Sequence, residues 1–494
     1  MKISKKNLKK LRDILGKMTI SFSMLLLLSS CGAEKQKDSR KPNVLLINVD
    51  DLGWKDLGYM GSEYYDTPNV DGLSKEGMVF MQAYASAANC APSRANMITG
   101  LLGPSHGIYT VGTSERGEEQ TRKLIPIPNN QTIADSLYTL GEMFHDNGYV
   151  TASVGKWHIS EDPRDHGFDI NVAGSHRGGP GPKGYFSPYN AEPLEEGPKG
   201  EYLTDRLTTE AISIIEGNKD KPFFLYLPFY AVHKPLMAKE DVEERYERKK
   251  PGDGQSNATY AAMINTMDEN VGRLLNTLKD LGLAENTVVI FTSDNGGIRD
   301  VSFQDPLRAG KGSYYEGGIR VPLIIKWPGH IKGGEVSQVP VTQRDLYPTL
   351  QTIIKAEKKA EKLDGDDLSP LFKGKSIPER DLFWHFPIYL QAYAPFVDQA
   401  RDPLYRTRPG SVIRSGNWKL HEYFEDGGLE LYDLSKDVGE AHNVAEQYPD
   451  ITKKLYDKLI KWREKTHAPV PTKLNPKYDA EYEKRRVEEE REKL

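Results

Sequence analysis

Cysteine is almost absent from this chain, and several other common features are missing as well. Its 494 residues contain two cysteines, Cys31 and Cys90. No GxGxxG motif follows the first predicted strand, so a dinucleotide-binding fold is unsupported. The net charge is −5, and without the basic segment that precedes Cys31 it is about −11. Because nucleic-acid binding needs a basic surface, this balance argues against a nucleic-acid partner.

Long apolar runs are also missing. The apolar stretch at residues 18–28 is too short to span a bilayer as a permanent helix. It follows a basic segment and ends in Leu-Ser-Ser-Cys-Gly, which resembles the lipobox of bacterial lipoproteins. We therefore expect a signal peptide over residues 1–30, lipidation of Cys31 and a polar tether over residues 31–41. The protein would then be exported to the periplasm or cell surface and held at the membrane by its N-terminal lipid alone. A plain secretory peptide cut nearby is the alternative.

Cys90 has no disulfide partner if Cys31 is acylated, and an unpaired cysteine in an exported protein needs an explanation. It lies in Asn-Cys-Ala-Pro-Ser-Arg, just before a predicted short helix that Gly100 ends. A helix N-terminus favours negative charge, and Arg94 adds a fixed positive group suited to a tetrahedral oxyanion. Cys90 is therefore a candidate nucleophile, and a buried cysteine that acts as a small apolar residue is the alternative.

Four apolar runs, at residues 43–49, 149–154, 222–229 and 288–293, are typical of strands buried in a parallel sheet. Ligands of open α/β sheets collect at the carboxyl ends of the strands, so the polar residues after these runs are candidate site residues. In chain order these residues are Asp50, Asp51, Lys156, His158, His233, Asp294 and Asn295. Lys311, between glycines, is a further candidate cation.

The carboxylates and the amide of this set form an oxygen-only group of potential metal ligands. Without histidine or cysteine among them, the group favours Ca²⁺ or Mg²⁺ over zinc. Each residue also has an ordinary structural alternative: an Asx turn for a single Asp, a solvated side chain for Lys, and a cap for His. Their shared position after predicted strands favours a common site.

The predicted fold is α/β, with a large mixed, mostly parallel sheet flanked by helices. We assign residues 42–355 to a large N-terminal domain that contains the candidate site residues, and residues 356–470 to a smaller α+β subdomain. Short alternating segments between residues 412 and 432, separated by glycine turns, predict a small antiparallel sheet in this subdomain. Residues 471–494 are charge-dense and are predicted to be a solvated helical tail.

The Cys-Ala-Pro-Ser-Arg pentapeptide at residues 90–94, followed by a helical turn and Thr-Gly, resembles the signature of the type I sulfatases. These enzymes belong to the alkaline-phosphatase-like superfamily, and the motifs after the predicted strands resemble theirs in the same order. The resemblance implies that Cys90 is oxidised to formylglycine by a formylglycine-generating maturation enzyme. The hydrated aldehyde would then be the nucleophile that attacks a sulfate ester.

The resemblance also implies a role for each candidate. The calcium ligands would be Asp50, Asp51, Asp294, Asn295 and residue 90, with Ca²⁺ preferred to Mg²⁺. The catalytic residues beside Cys90 would be Arg94, Lys156, His158, His233, Asp294 and Lys311. Asp294 would accept the proton of the nucleophile, and His158 would aid the release of sulfate. His233 and Lys311 would protonate the leaving alcohol. Arg94 and Lys156 would neutralise the negative charge of the nucleophile and of the sulfate oxygens.

An exported, lipid-anchored sulfatase is expected to act on sulfated polysaccharide or glycosaminoglycan. The specific expectation is a galactose or N-acetylgalactosamine 4-sulfate. Residues 160–200 are rich in Gly, Pro and Tyr and are predicted to form an irregular binding rim. The candidate substrate-binding residues are His176, Arg177, Arg308, Trp384 and His385.

Three alternative functions stay open from the sequence. One is a phosphonate or phosphate ester hydrolase of the same superfamily, and another is a non-catalytic, glycan-binding surface lipoprotein. The third is a hydrolase that uses an unmodified Cys90 thiol. Cleavage of an aryl phosphate rather than an aryl sulfate would indicate the first alternative. Binding of glycan without sulfate release would indicate the second, and sulfur retained at residue 90 would indicate the third.

Overall fold

The structure, a computed structural model, describes residues 40–181, 183–189 and 191–494. Residues 41–494 make up one compact unit. The predicted signal peptide, the predicted lipidation site Cys31 and most of the predicted tether lie outside the described residues. Within the described part of the chain, no helix combines the length and the apolar composition that crossing a membrane requires.

In the part of the chain that the structure describes, the strands form one eight-stranded sheet, one four-stranded antiparallel sheet and two two-stranded sheets. In chain order they are β1 (Asn43–Val49), β2 (Met78–Phe80), β3 (Ala83–Tyr84), β4 (Val150–Val154), β5 (Ile170–Val172), β6 (Phe223–Pro228), β7 (Thr287–Ser293), β8 (Leu323–Lys326), β9 (Glu335–Ser337), β10 (Val341–Thr342), β11 (Asp381–Phe386), β12 (Leu390–Gln391), β13 (Tyr405–Thr407), β14 (Gly410–Ser415), β15 (Trp418–Tyr423) and β16 (Leu429–Asp433). The strand order of the large sheet is β5-β4-β6-β1-β7-β8-β2-β9. Its pairings are parallel except those of β8 with β7 and β2.

This architecture confirms the predicted α/β fold class. The four predicted strands correspond to β1, β4, β6 and β7, and their ends differ by one residue or less from the prediction. Alternate side chains of β1 enter two separate cores: Leu45 and Ile47 pack on one face of the sheet, and Val44 and Leu46 on the other. A strand with a core on each face needs apolar side chains on both faces, and this is why the middle of β1, residues 44–47, is a continuous apolar run.

Helices cover both faces of the sheet. They are α1 (Pro68–Glu76), α2 (Cys90–Thr99), α3 (Gly103–His106), α4 (Leu140–Asp146), α5 (Leu203–Gly217), α6 (Glu240–Arg248), α7 (Ala258–Asp280), α8 (Glu316–Ile319), α9 (Leu346–Ile353), α10 (Pro449–Thr466) and α11 (Ala480–Arg491). The periodicity of residues 133–147 predicts a longer helix than α4. The helix starts later because Thr139 and Glu142 form a capping box that fixes its first residue at position 140.

The small antiparallel sheet predicted for the C-terminal region is present, with strand order β11-β14-β15-β16. A buried ion cluster fastens it to the short helix α8. Lys419 of β15 has its ammonium 3.0 Å from both Glu316 of α8 and Glu440. Because α8 begins five residues after Lys311, the C-terminal sheet directly supports the segment that carries this candidate cation.

Helix α11, in the predicted solvated tail, has no buried residue. It nevertheless contacts the N-terminal domain, since the Arg486 guanidinium lies 3.0 Å from the Glu118 carboxylate.

Candidate active site

The carboxyl ends of β1 and β7 lie side by side, because these strands pair in parallel along their whole length. Asp50 and Asp51 follow β1, and Asp294 and Asn295 follow β7, so four of the five predicted metal ligands meet at one edge of the sheet. The backbone N–H of Asp51 donates to Asp294 Oδ1 at 3.2 Å, and the side-chain amide of Asn295 donates to Asp51 Oδ1 at 2.8 Å. All four side chains are buried.

Cys90 is the first residue of α2, not the residue before it. Asn89 caps the helix by accepting the Cys90 N–H, and Gly100 ends it in a left-handed conformation with φ of 69°. The helix N-terminus aims Cys90 Sγ at the acidic group, 3.6 Å from Asp50 Oδ1 and 4.0 Å from Asp51 Oδ1. The nucleophile candidate therefore lies at the predicted metal site.

Three buried cations compensate the three carboxylates. The Lys156 ammonium donates to Asp50 Oδ2 at 2.5 Å, and the Lys311 ammonium donates to Asp51 Oδ2 at 2.8 Å. Arg94, one turn into α2, lies 2.8 Å from Asp294 Oδ2 through Nη2. These pairs leave the group close to neutral, so a divalent cation would make it positive and attractive to an anionic ester.

The two candidate histidines border the same group from different loops. His233 donates from Nδ1 to the Lys234 carbonyl at 2.6 Å, so its Nε2 faces Asp51 Oδ2, 3.7 Å away. His158 is buried, its Nδ1 has no hydrogen-bond partner, and its backbone φ is 70°. Asp51 has a similar φ of 61°. Such conformations are uncommon outside glycine, and they occur here on two residues of one site.

Burial dominates the electrostatics of the site. It raises the pKa of the Cys90 thiol to about 12, and Lys156 and Lys311 only partly oppose that rise. Burial also raises the pKa of Asp50, although Lys156 opposes it. Burial and the Lys311 ammonium lower the pKa of His233. The unmodified thiol and the imidazole are therefore neutral when no cation is bound.

The donor set fits a hard divalent cation. Asp50, Asp294 and Cys90 present ligand atoms within 4.8 Å of one another, and Asn295 Oδ1 is a buried acceptor that receives no hydrogen bond. Carboxylate and amide oxygens are the ligands that Ca²⁺ prefers. An acceptor left unsatisfied beside three carboxylates is costly unless a cation is bound there.

Two of the five candidate substrate-binding residues lie beside this site. The imidazole rings of His176 and His158 are 6.2 Å apart between centroids. Arg177 is exposed on the same loop, and the glycines that follow it approach both His158 and His233. The irregular 175–179 segment therefore forms part of the rim.

The structure places the other three candidates elsewhere. Trp384 is 1% exposed, and its indole N–H donates to the Ala85 carbonyl at 2.9 Å. His385 is buried between Ser411 and the Pro469 carbonyl, at 2.8 Å from each. Arg308 donates to the carbonyls of the 399–400 and 440 segments. Each of these three side chains thus has structural contacts within the protein, and their proposed contact with substrate stays a prediction.

Two residues that support the site were not found from the sequence. Gln343 accepts a hydrogen bond from Ser93 of α2 at 2.8 Å and donates to the Ser293 carbonyl of β7, so it joins the two elements. Arg406 donates to the Lys311 carbonyl at 3.1 Å. Neither residue lies in a motif or at a predicted strand end, so no local pattern indicated them.

Comparisons with protein families match most of the chain. Residues 42–355 match the family model described as Sulfatase, and residues 310–465 match the model of the C-terminal region of N-sulphoglucosamine sulphohydrolase. A sulfatase of Formosa agariphila is 34% identical over a gapped alignment of 536 positions, and the match covers 91% of this chain and 94% of that protein. The N-acetylgalactosamine-6-sulfatase of Canis lupus familiaris is 33% identical over a gapped alignment of 397 positions, and the match covers 74% of this chain and 72% of the relative.

Solved structures show the same likeness. The crystal structure of Ps i-CgsB in complex with k-i-k-neocarrahexaose matches with a TM-score of 0.70 and 29% identity. The match covers 86% of this chain and 93% of that chain.

Proposed function

The chain belongs to the sulfatase family, and from that premise we propose that it releases sulfate from carbohydrate sulfate esters, with Cys90 as the precursor of a formylglycine nucleophile. The family membership confirms the resemblance seen in the motifs, and sulfatases are sulfuric ester hydrolases. The proposal adds three things: the modification of Cys90, Ca²⁺ as the metal, and carbohydrate as the substrate class.

The observation that carries the proposal is the position of Cys90. Its sulfur lies 3.6 Å from Asp50 Oδ1 at the N-terminus of α2, among carboxylates and buried cations. Conversion to formylglycine replaces the sulfur with an aldehyde oxygen, which needs a maturation enzyme and an oxidant from outside this chain. The hydrate of that aldehyde supplies a hydroxyl nucleophile at the same position.

Asp50, Asp51, Asp294 and Asn295 would hold Ca²⁺, and the bound ion would polarise a sulfate oxygen and acidify the nucleophile. The acceptor of Asn295 that receives no hydrogen bond supports this assignment, as does the absence of nitrogen ligands from the set.

The cations of this chain perform binding and proton transfer. Arg94 and Lys156, buried on the nucleophile side, neutralise the charge of the sulfate oxygens. Lys311 holds a proton on its Nζ next to Asp51 and can pass it to the leaving alcohol, with His233 beside it. Proton donation of this kind contributes about 10²–10⁴-fold to rate. His158, buried on the loop after β4, would aid the release of sulfate.

A carbohydrate substrate is supported by the names of similar proteins and by the expected export of the chain. One relative is named an N-acetylgalactosamine-6-sulfatase, and one similar crystal structure holds a carrageenan-type hexaose. The name of that relative favours position 6 of the sugar over the position 4 expected from general likeness. We also propose that the mature protein is a lipid-anchored periplasmic or surface protein, which metabolic labelling with a fatty acid would test at Cys31.

The experiment is sulfate release by full-length protein produced together with a formylglycine-generating enzyme. Defined 4- and 6-sulfated galactose and N-acetylgalactosamine are compared with an aryl sulfate and an aryl phosphate. Mass spectrometry of the peptide that contains residue 90 reports the modification. We expect aldehyde at residue 90, sulfate release from a sulfated sugar, and none from the Cys90→Ala variant. Retained sulfur in active enzyme, or faster cleavage of the phosphate, would overturn the proposal.

A further inference from the structure

An exposed aromatic ring lies next to the segment that carries Lys311. Tyr393 is 49% exposed, although its ring is stacked on the Arg406 guanidinium, whose carbon is 3.3 Å from the ring centroid. Arg406 itself is 4% exposed. Because the guanidinium covers one face of the ring, the exposed area belongs to the other face and the edge. The result is a flat, apolar surface with a fixed charged support.

Arg406 ties this ring to the active site. Its Nη1 donates to the Lys311 carbonyl at 3.1 Å and its Nε donates to the Gln391 carbonyl at 3.0 Å. One buried guanidinium therefore holds the backbone of the proposed proton donor and the aromatic ring in a fixed relation.

The loop that carries the ring is braced from within. The Asp398 carboxylate accepts the backbone N–H of Tyr393 at 2.7 Å and that of Ala394 at 3.1 Å. Val397, on the same loop, is 45% exposed. An exposed aromatic ring and an exposed aliphatic side chain therefore lie on one braced loop, and Arg406 links that loop to the Lys311 segment.

We propose that Tyr393 is a substrate-positioning residue on which a sugar ring of the sulfated substrate stacks, on the leaving-alcohol side of the site. The inference rests on the proposed carbohydrate sulfatase function and adds a residue and a contact to it. A pyranose presents an apolar C–H face that packs on an aromatic ring, and a ring held rigid loses little entropy when it binds. The position beside Lys311 fits the side where the alcohol, which is the sugar, departs.

The test compares Tyr393→Ala, Tyr393→Phe and Tyr448→Ala in matured, full-length enzyme. Tyr448 is 40% exposed and packs on Trp418 of the C-terminal sheet, so it controls for the loss of an exposed tyrosine. Steady-state constants are measured on the preferred sulfated saccharide and on 4-nitrophenyl sulfate, which has no sugar ring.

For Tyr393→Ala we expect the KM for the saccharide to rise about tenfold, with kcat changed less than about twofold, since lost stacking weakens binding. The ratio of kcat/KM for the saccharide to that for the aryl sulfate should fall about tenfold. Tyr393→Phe, which keeps the ring, should restore both values, and Tyr448→Ala should match the wild type.

An unchanged saccharide KM in Tyr393→Ala, in enzyme that cleaves the saccharide, would overturn this inference and leave the proposed function intact. An equal loss on both substrates would also overturn it, because that result indicates damage to the Lys311 segment. If wild-type enzyme cleaves only the aryl sulfate, the carbohydrate proposal fails and the stacking role fails with it.

Discussion

Arg94 and Asp294 lie 200 residues apart in the chain and form a fully buried ion pair. Nε of Arg94 donates to Asp294 Oδ2 at 2.9 Å, and Nη2 lies 2.8 Å from the same oxygen. Nη1 donates to the Lys156 carbonyl at 2.7 Å. One guanidinium thus joins the helix that carries Cys90 to the ends of β7 and β4, so it fixes the geometry of the site as well as its charge.

Replacement of Arg94 should therefore affect both activity and stability. Arg94→Ala leaves a buried carboxylate without its partner, a change that typically costs about 3–5 kcal/mol of unfolding free energy. We expect kcat/KM to fall by about 10²–10³-fold or more, as when a group that stabilises the transition state is removed. Arg94→Lys keeps the positive charge but loses the several N–H donors of the guanidinium, so its loss of unfolding free energy should be smaller than that of Arg94→Ala. Thermal unfolding and sulfate release measure the two effects, and an Arg94→Ala variant as stable as wild type would contradict the argument.

Removal of the metal should lower activity and the melting temperature together. A chelator would leave three clustered carboxylates and the Asn295 acceptor without the proposed ion, and added Ca²⁺ should restore both quantities. Asn295→Ala should raise the Ca²⁺ concentration needed for half-maximal recovery by about tenfold. Asn270→Ala is the matched control, because this buried amide in α7 bonds Asp205 and the Thr266 carbonyl. A chelator that leaves the melting temperature unchanged would count against a bound metal.

Much of the site follows from local sequence because parallel strands end at one edge. Asp50 and Asp294 follow two mostly apolar runs, and the parallel pairing of β1 with β7 brings the two aspartates together. The order of the strands was not predictable, because β1 pairs with β6 and β7, which come much later in the chain. Only long-range packing selects those neighbours.

In the C-terminal half of the chain, local sequence patterns do not predict which side chains contact one another. Trp384 follows an alternating pattern that is equally compatible with a rim residue and with the buried strand residue it is. Arg406 and Tyr393 are 13 residues apart on a short strand and an irregular loop, so no periodicity links them. Contacts made by loops depend on the whole fold, and the sequence contains no repeat or spacing that encodes them.

Acid should destabilise the fold in part through His385. Burial lowers the pKa of His385 to about 3, and its neutral ring already bonds Ser411 and the Pro469 carbonyl. The unfolded histidine, with a pKa near 6.5, takes up a proton below that value while the folded one does not. Stability from this residue is therefore complete above about pH 6.5 and is lost as the pH falls, by about 2 kcal/mol at pH 5.

The His385→Gln variant, which keeps one donor and one acceptor, tests this pH dependence. The loss of unfolding free energy between pH 7 and pH 5 should be smaller in this variant by about 2 kcal/mol, as followed by thermal or denaturant unfolding. His442→Gln serves as the control because His442 is exposed. Equal pH dependence in wild type and His385→Gln would contradict the prediction.

Alanine substitutions at two neighbouring glycines of the rim loop should affect His158 and His233 differently. A Cβ added at Gly178 would lie 2.6 Å from Cε1 and 2.7 Å from Nε2 of His158, so the imidazole must move. A Cβ at Gly179 would meet only His233, at 3.9 Å, which is an ordinary contact. Since a displacement of about 1 Å in an active site can cost about 10²-fold in rate, Gly178→Ala should lower kcat by about 10–10²-fold, and Gly179→Ala by less than about twofold. Because the proposed role of His158 follows the attack, Gly178→Ala should slow steady-state turnover more than the first turnover, which rapid-quench measurement of alcohol release resolves. Equal kcat values in the two alanine variants would show that His158 tolerates the displacement and would remove it from the proposed mechanism.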